Sequence, residues 1–349
     1  MELNIKNTKY KSLLLYCTVM FFVLSSLFLS GCNSKIQIFP SFGDTYILSI
    51  GNSSLPLSEA KIVMMNIKSK YEQYYVSVSG ENFWQQPMEE NVTFESYIRN
   101  NVVMDELVHL QALVQLSKKN DIKLTKEEKE EAKKAGKEYY NSLTAEEKNY
   151  CSNDMKSVIS LIEKYILAQK TIDFLTKDMK NEVSDNEARV MTIQEIFVTE
   201  EETANHLLTE LENGKSFEEF AREYNNNGKW EYNVSRYDLS EEFRDTVFRL
   251  ETGETTQVLT SSDGYHIIKC INDYDEELSK QNKEKILRTN RYNEWNDDVE
   301  ELLKQQPLSI NKNVWNRCTF TYNPNISNQS FFTLYESYFP NTDFSFEVK

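Results

Sequence analysis

Histidine and cysteine are scarce in this chain of 349 residues, and its positive charges are outnumbered by negative ones. The three histidines, His109, His206 and His266, share no metal-ligand spacing, so we expect no metal site and no organic cofactor. Lys and Arg number 39 against 55 Asp and Glu, and the formal net charge is −16. Because phosphate binding needs a basic face, this balance argues against a nucleic-acid partner.

The five cysteines do not form a disulfide pattern, because those beyond residue 32 are odd in number and widely spaced. Of the two remaining cysteines, Cys32 follows a recognisable sequence pattern. A lysine-bearing start and the apolar run "LLLYCTVMFFVLSSLFLSG" precede "LSGC", which ends at Cys32. These features are typical of a secretory signal. We predict a signal peptide over residues 1–31 and a bacterial lipobox in which Cys32 is lipidated. Two alternatives stay open, an uncleaved membrane anchor and an accidental cysteine.

Residues 32–187 are predicted to form a short tether followed by a mainly helical domain. "TYILSI" alternates like a strand, and a helix with Ser58 near its start follows it. Thr93 opens a longer amphipathic helix, in which His109 is expected to be a satisfied side chain rather than a ligand. Thr125 and Thr144 each precede a glutamate by three positions, which is typical of the capping box.

The pattern changes in residues 188–273, where a strand, three short helices and a hairpin across Asp263-Gly264 are predicted. This order indicates a small α+β domain. Residues 274–320 return to the helical period, with an apolar seam that includes Trp295, and Pro307 ends that helix. Residues 321–349 are rich in aromatic side chains without a clear period. They fit a strand pair or a strap over the core, and no role follows from them.

Three stretches resemble the PrsA-type foldase lipoproteins, which combine SurA-like N-terminal helices with an inserted parvulin domain. They are "YILSIGNSSLPLSEAKI", "KSFEEFAREYN" and "EEFRDTVFRLETGETTQVLTSSDGYHIIK". The last is similar to the end of a parvulin (PpiC) domain, where a helix, "GE", a strand and "GYHII" follow in order. The resemblance implies an α+β fold with a small sheet flanked by helices. It also implies isomerisation of X-Pro peptide bonds in exported, unfolded polypeptides, outside the cytoplasm and at a membrane.

The family's site residues can be carried over one at a time. His266 matches the second active-site histidine, and Phe243 matches the aromatic wall of the proline pocket. Leu239 falls where a methionine is usual, an apolar exchange that such a pocket tolerates. The first histidine falls at Glu195. The segment that usually supplies an Asp or Cys reads "NGKWEYNVSRYDL" here, so that position falls near Trp230 or Glu231.

These two departures leave the role of His266 open. If Glu195 faces it, a carboxylate–imidazole hydrogen bond replaces the usual histidine pair. We expect His266 to share the face of its strand with Ile268 and Cys270, and to have a structural role in the pocket floor rather than a catalytic one.

The sequence supports two function classes. The first is a parvulin-type peptidyl-prolyl isomerase and foldase, tethered through Cys32 to the extracytoplasmic face of a bacterial membrane. The second is a holdase chaperone whose parvulin domain is catalytically impaired and whose helical region binds clients. A solute-binding lipoprotein lacks support, because no two-lobed α/β pattern is present. A homodimer stays open.

Overall fold

The structure, a computed structural model, describes residues 45–151, 154–180, 182–225 and 229–340. The predicted signal peptide and Cys32 lie outside these residues. The chain divides into two compact units, of which unit 1 takes the residues up to Lys177 and those from Trp295, and unit 2 takes Asp178–Glu294. The parvulin domain predicted over 188–273 falls within unit 2. None of the helices in the described residues is long and apolar enough to span a membrane.

The described residues contain nine strands and thirteen α-helices, besides a short 3-10 helix (Phe83–Gln85) and a π-helical turn (Ile98–Val103). The strands are β1 (Tyr46–Ile50), β2 (Ser53–Pro56), β3 (Pro87–Glu89), β4 (Val92–Thr93), β5 (Val190–Val198), β6 (Glu231–Ser235), β7 (Leu259–Thr260), β8 (Tyr265–Asn272) and β9 (Leu308–Ile310). The helices are α1 (Leu57–Ser79), α2 (Phe94–Tyr97), α3 (Met104–Lys119), α4 (Lys126–Ser142), α5 (Ala145–Tyr150), α6 (Met155–Leu175), α7 (Asp185–Ala188), α8 (Glu201–Glu212), α9 (Phe217–Tyr224), α10 (Glu241–Val247), α11 (Glu276–Gln305), α12 (Lys312–Trp315) and α13 (Phe331–Tyr338). Together they confirm the predicted α+β class.

The helix starts of unit 1 follow the capping signals in the sequence. Thr125 accepts a hydrogen bond from the Glu128 backbone N–H while the Glu128 side chain accepts from Thr125 N–H. Thr144 and Glu147 repeat this capping box at the start of α5. Thr93 caps α2, which continues through a π-helical turn into α3. Each cap satisfies backbone donors that a helix start leaves free.

The C-terminal part of the chain completes the core of unit 1. The strand β9 pairs antiparallel with β1, whose other edge pairs with β2. Phe320 and Phe331 are fully buried in the helical core. Buried side chains also bind the backbone of this segment: Glu147 Oε1 accepts from Ser327 N at 3.1 Å, and Asn66 Oδ1 accepts from Phe331 N at 2.9 Å. The aromatic stretch is therefore a strap that ends in a helix, and the strand-pair alternative is wrong for its described part.

Unit 2 is built on a four-stranded antiparallel sheet in the order β6-β5-β8-β7. One face packs against α10 through a cluster that includes Ile193, Phe243 and Ile268. The other face packs against α8 and α9 through a cluster that includes Ile196, Phe217 and Ile267. The hairpin predicted across Asp263-Gly264 is present, although β7 has only two residues. The third helix of the domain ends at Val247, before the predicted stop at Gly253.

His109 is a satisfied side chain in unit 1, as predicted. Its Nδ1 lies 3.2 Å from Asp105 Oδ2, and its Nε2 lies 3.1 Å from Asn296 Oδ1. Burial alone would lower the pKa of His109, but Asp105, Asn296 and Glu106 together raise it to about 9. Burial also raises the pKa of Glu106 to about 8, although the Tyr165 hydroxyl, which donates to Glu106 Oε1 at 2.8 Å, and the charge of His109 lower it.

The raised pKa values of Glu106 and His109 predict that unit 1 becomes less stable as the pH rises. A group whose pKa is higher in the folded state retains its proton there after the unfolded chain has lost it, so the free energy of unfolding falls between the two pKa values. That window runs from 4.5 to about 8 for Glu106 and from 6.5 to about 9 for His109. We expect α3 peptides of the full chain to lose hydrogen-exchange protection at lower urea at pH 9 than at pH 6.

The matched variants are Glu106→Gln and Glu127→Gln. The amide at position 106 still accepts from Tyr165 but does not titrate, so the pH dependence should flatten. Glu127 is exposed in the first turn of α4, and its variant should keep the full pH dependence. If the stability of the Glu106→Gln protein fell with pH as steeply as that of the unchanged protein, the assignment of this pH dependence to Glu106 would be wrong.

Candidate functional site

The strand register of unit 2 places Glu195, Phe197 and His266 on one face of the sheet. In the antiparallel pair β5–β8, Glu195 lies opposite Ile268 and Phe197 lies opposite His266. Side chains at every second position of a strand share a face. His266 therefore faces the same side as Ile268, while Ile267 packs in the cluster on the other face. Both neighbour relations confirm what the alternation in the sequence predicted.

Glu195 and His266 form a direct hydrogen bond. The Nδ1 atom of His266 lies 2.6 Å from Glu195 Oε1, and both side chains are largely buried, with exposed fractions of 11% and 19%. The second carboxylate oxygen, Oε2, accepts a hydrogen bond from the Tyr232 hydroxyl. Tyr232 is on β6, next to β5 in the sheet. A carboxylate with two donors is satisfied in a site that gives it little water.

The other ring nitrogen of His266 contacts the hairpin turn. Nε2 lies 2.8 Å from Ser261 Oγ, and Ser261 also donates to Asp263 Oδ1. The hydroxyl has one proton. Ser261 therefore links the imidazole to Asp263 and to the turn through a single hydroxyl group.

Two apolar side chains from the α10 region and the imidazole border an open pocket of about 340 Å³. Phe243 is buried, and its ring lies 5.0 Å from the His266 ring in an edge-on arrangement with an interplanar angle of 64°. Leu239 lines the same pocket. The remaining lining residues are polar: Asp238, Ser240, Glu242, Ser261, Ser262 and Asp263. The structure thus brings together His266, Glu195, Phe243 and Leu239.

Gly264 is required by a close approach between the strands. A Cβ atom at this position would lie 2.5 Å from the Val198 carbonyl oxygen and 2.6 Å from the Phe197 ring. No side chain fits there without moving β5, so steric exclusion explains why a glycine precedes Tyr265 and His266.

Trp230 does not lie with the other predicted site residues. It packs in the cluster on the opposite face of the sheet, and the Arg222 guanidinium lies 4.9 Å from its ring centroid. The neighbouring candidate, Glu231, accepts from Gln194 Nε2 at 2.8 Å. Trp230 lies just before β6, and its carbonyl oxygen accepts from Glu195 N, so its backbone adjoins β5 without being part of the strand. Tyr232, two positions further, is the residue of this segment that reaches the site.

Sequence reasoning missed four residues that shape the site: Phe197, Asn225, Tyr232 and Ser261. The Phe197 ring lies 4.9 Å from the His266 ring, and its spacing of two from Glu195 could have indicated this. Asn225 accepts from Phe197 N and donates to Glu195 O, which fixes the backbone of β5. Tyr232 could be found only from the register of β5 and β6, which the sequence does not give.

The electrostatics of the site follow from these contacts. Burial, followed by the Glu195 charge and hydrogen bond, raises the pKa of Tyr232, so its hydroxyl remains a donor. The hydrogen bond from Ser261 lowers the pKa of Asp263, so this exposed carboxyl is ionised at neutral pH. Among the described residues, no group of three or more His, Cys, Asp or Glu side chains is placed to hold a metal ion.

Comparisons with known proteins found one matching family model and several similar solved structures. Residues 178–272 match the model of the rotamase family described as the PPIC-type PPIase domain, which confirms the predicted parvulin domain. Similar solved structures include PrsA of Bacillus cereus, with 17% identity over 73% of this chain and 99% of the other and a TM-score of 0.38. PrsA of Bacillus subtilis is 17% identical over 83% and 99%, with a TM-score of 0.25. A SurA-like chaperone structure from Campylobacter jejuni is 11% identical over 76% and 98%, with a TM-score of 0.28. The search of curated proteins gave no match.

The Tyr232 hydroxyl should stabilise unit 2, because it satisfies Glu195. Replacing it by Tyr232→Phe leaves a carboxylate oxygen without its donor, and we expect a loss of about 1–3 kcal/mol in the free energy of unfolding. Tyr237→Phe is the matched control, because Tyr237 is 65% exposed and its change should stay within about 0.5 kcal/mol. Urea unfolding followed by hydrogen exchange in β8 measures both. Equal effects of the two variants would show that the hydroxyl contributes nothing.

Proposed function

We propose that this chain is a peptidyl-prolyl isomerase that assists the folding of exported polypeptides outside the cytoplasm. The observation that carries the proposal is the pocket in which Phe243 and Leu239 stand beside His266. The apolar wall formed by Leu239 and Phe243 is suited to a proline ring, and the polar groups around it are suited to a twisted amide. The match of residues 178–272 to the PPIC-type family supports the same activity.

The chemistry asked of the site is modest. Rotation about the peptide bond has a barrier of about 18–20 kcal/mol, and no bond is broken. A thousandfold acceleration needs about 4 kcal/mol of selective transition-state stabilisation. Holding the proline ring in the pocket positions its peptide bond near His266 and Ser261, whose hydrogen-bonding atoms face the pocket. Removing the amide from water weakens the conjugation that opposes rotation.

Turnover of an X-Pro peptide by the full chain is the direct test. We expect rates well above the uncatalysed reaction, and a fall of about tenfold or more in Phe243→Ala, because the ring loses one wall of its pocket. His266→Ala should retain measurable turnover if the imidazole is mainly the floor of the pocket. Tyr274→Ala is the matched control, because Tyr274 is exposed in unit 2 and does not line the pocket. A folded His266→Ala protein without turnover would instead assign the imidazole a catalytic role.

A holdase is the second candidate, and two observations favour it. Glu195 stands where the resemblance implies a histidine, so the polar part of the site is altered. On α1 of unit 1, Tyr74 and Val78 are 62% and 53% exposed, and exposed apolar side chains suit transient binding of unfolded chains. Suppressed aggregation of an unfolded client, without any turnover of X-Pro peptides, would favour this candidate over the isomerase.

We further propose that Cys32 carries a lipid that tethers the protein to the membrane. Support comes from the sequence alone: the basic start, the apolar run and "LSGC". Two or more acyl chains hold a protein firmly, whereas one chain gives marginal binding. Partners would be unfolded exported polypeptides, with a homodimer still open.

Substitution of the cysteine tests the tether. We expect the Cys32→Ala protein to incorporate no labelled fatty acid, whether or not its signal peptide is cleaved. Cys17→Ala is the matched control, since Cys17 lies within the predicted apolar run and should not be modified. Unchanged labelling of Cys32→Ala would exclude lipidation at this residue.

A further inference from the structure

Three carboxylates surround the candidate pocket, and none of the residues that line it is a lysine or arginine. Asp238 and Glu242 stand on the α10 side, and Asp263 stands on the hairpin turn opposite. All three are exposed at the pocket mouth, whereas Leu239 and Phe243 form its apolar wall. A proline ring in the pocket would therefore place the neighbouring residues of a bound peptide among negative charges.

The three carboxylates differ in how they are satisfied. Asp238 Oδ2 accepts from the Ser235 backbone N–H at 2.7 Å and from the Ser235 hydroxyl at 2.6 Å. Asp263 accepts from Ser261, as described above. Glu242 has no hydrogen-bond or ion-pair partner among the described residues. Its carboxylate is thus the one at the pocket that no protein contact holds in a fixed orientation, so it can turn toward a bound ligand.

Like charges clustered around a pocket add to one another and attract the opposite charge, so the carboxylates of Asp238, Glu242 and Asp263 act together.

We propose that the pocket selects proline-containing segments with a lysine or arginine next to the proline, at the preceding position above all, and disfavours Asp, Glu or phosphorylated residues there. This selectivity rests on the proposed binding of proline in the pocket, and it adds the chemical class of the segment that is bound. The carboxylates at the rim supply the charge, and Glu242 is the residue that contacts the cation.

The local cluster, rather than the overall charge, carries this selectivity. The whole chain has a net charge of −16 and attracts any cation weakly. At physiological ionic strength, charges further away than about 8 Å are largely screened. Carboxylates that line the pocket are the ones nearest to a residue bound there, so their interaction with it is screened least. One exposed ion pair changes an affinity only severalfold, so we expect about a threefold to tenfold preference from the group.

Binding of fluorescent peptides to the full chain tests the proposal. The probes are one X-Pro sequence with Lys, Gln or Glu at X, and affinity is measured by anisotropy at 50 mM and 500 mM salt. We expect the Lys-Pro probe to bind at least about threefold more tightly than Gln-Pro, the Glu-Pro probe to bind more weakly than Gln-Pro, and the differences to shrink at high salt. Equal affinities, a preference for Glu-Pro, or absence of binding to all three would overturn the proposal.

Two charge reversals locate the effect. Glu242→Lys should abolish or invert the order of Lys-Pro and Glu-Pro. Glu241→Lys is the matched control, because it makes the same change of charge at the adjacent position of α10, outside the pocket lining. If both variants shift the order equally, the pocket carboxylate is not responsible. For each variant, the ratio of its affinities for Lys-Pro and Glu-Pro is compared. A variant that binds both probes more weakly keeps this ratio, so a general loss of binding is not mistaken for a loss of selectivity.

The outcome separates this inference from the proposed function. Turnover of the Gln-Pro peptide reports the isomerase and does not depend on the charge at X. Turnover without a Lys-Pro preference leaves the isomerase standing and overturns the selectivity. A Lys-Pro preference that depends on Glu242, without turnover of any peptide, supports the selectivity and points to the holdase.

Discussion

The hydrogen bond between Glu195 and His266 is the interaction on which the candidate site depends. It joins two largely buried polar side chains on the α10-facing side of the sheet, where an unpaired carboxylate or imidazole would destabilise the fold. Its geometry also aims Nε2 of the imidazole at the hairpin turn and presents the ring edge-on to Phe243. The position of the pocket floor therefore follows from one diagonal contact between β5 and β8.

The two faces of the sheet in unit 2 differ in the side chains that cover them. Its outer face is closed by α8 and α9 through side chains such as Ile196 and Phe217, which have no polar role. On the other face, an apolar cluster includes Ile193 and Ile268. Glu195 and His266 border this cluster, and the polar residues of the site begin with them. Where the resemblance in sequence implies a second imidazole, the chain has Glu195, which is hydrogen-bonded to both His266 and Tyr232.

Sequence patterns predicted the parts of the fold that are local. The capping boxes at Thr125 and Thr144, the alternation of β8 and the turn at Asp263-Gly264 all depend on residues a few positions apart. The pairing of Glu195 with His266 was also within reach, because the family resemblance aligned their strands. Tyr232 and Asn225 were not, since their contacts depend on the register of β6 and on the path of a loop. Trp230 lies just before β6, where the alternation of a strand no longer decides which face of the sheet a side chain takes.

The pairing of β1 with β9 has a consequence for how the protein is made. Asn311 donates to the Tyr46 carbonyl across 265 positions of the chain, and the strap beyond it supplies Phe320 and Phe331 to the same core. Unit 1 is therefore incomplete until residues up to Phe331 have been synthesised, whereas unit 2 is one continuous stretch of the chain. Contacts so distant in sequence form slowly. The first strand of unit 1 thus stays without one of its two partner strands until a segment more than 250 positions later has been made.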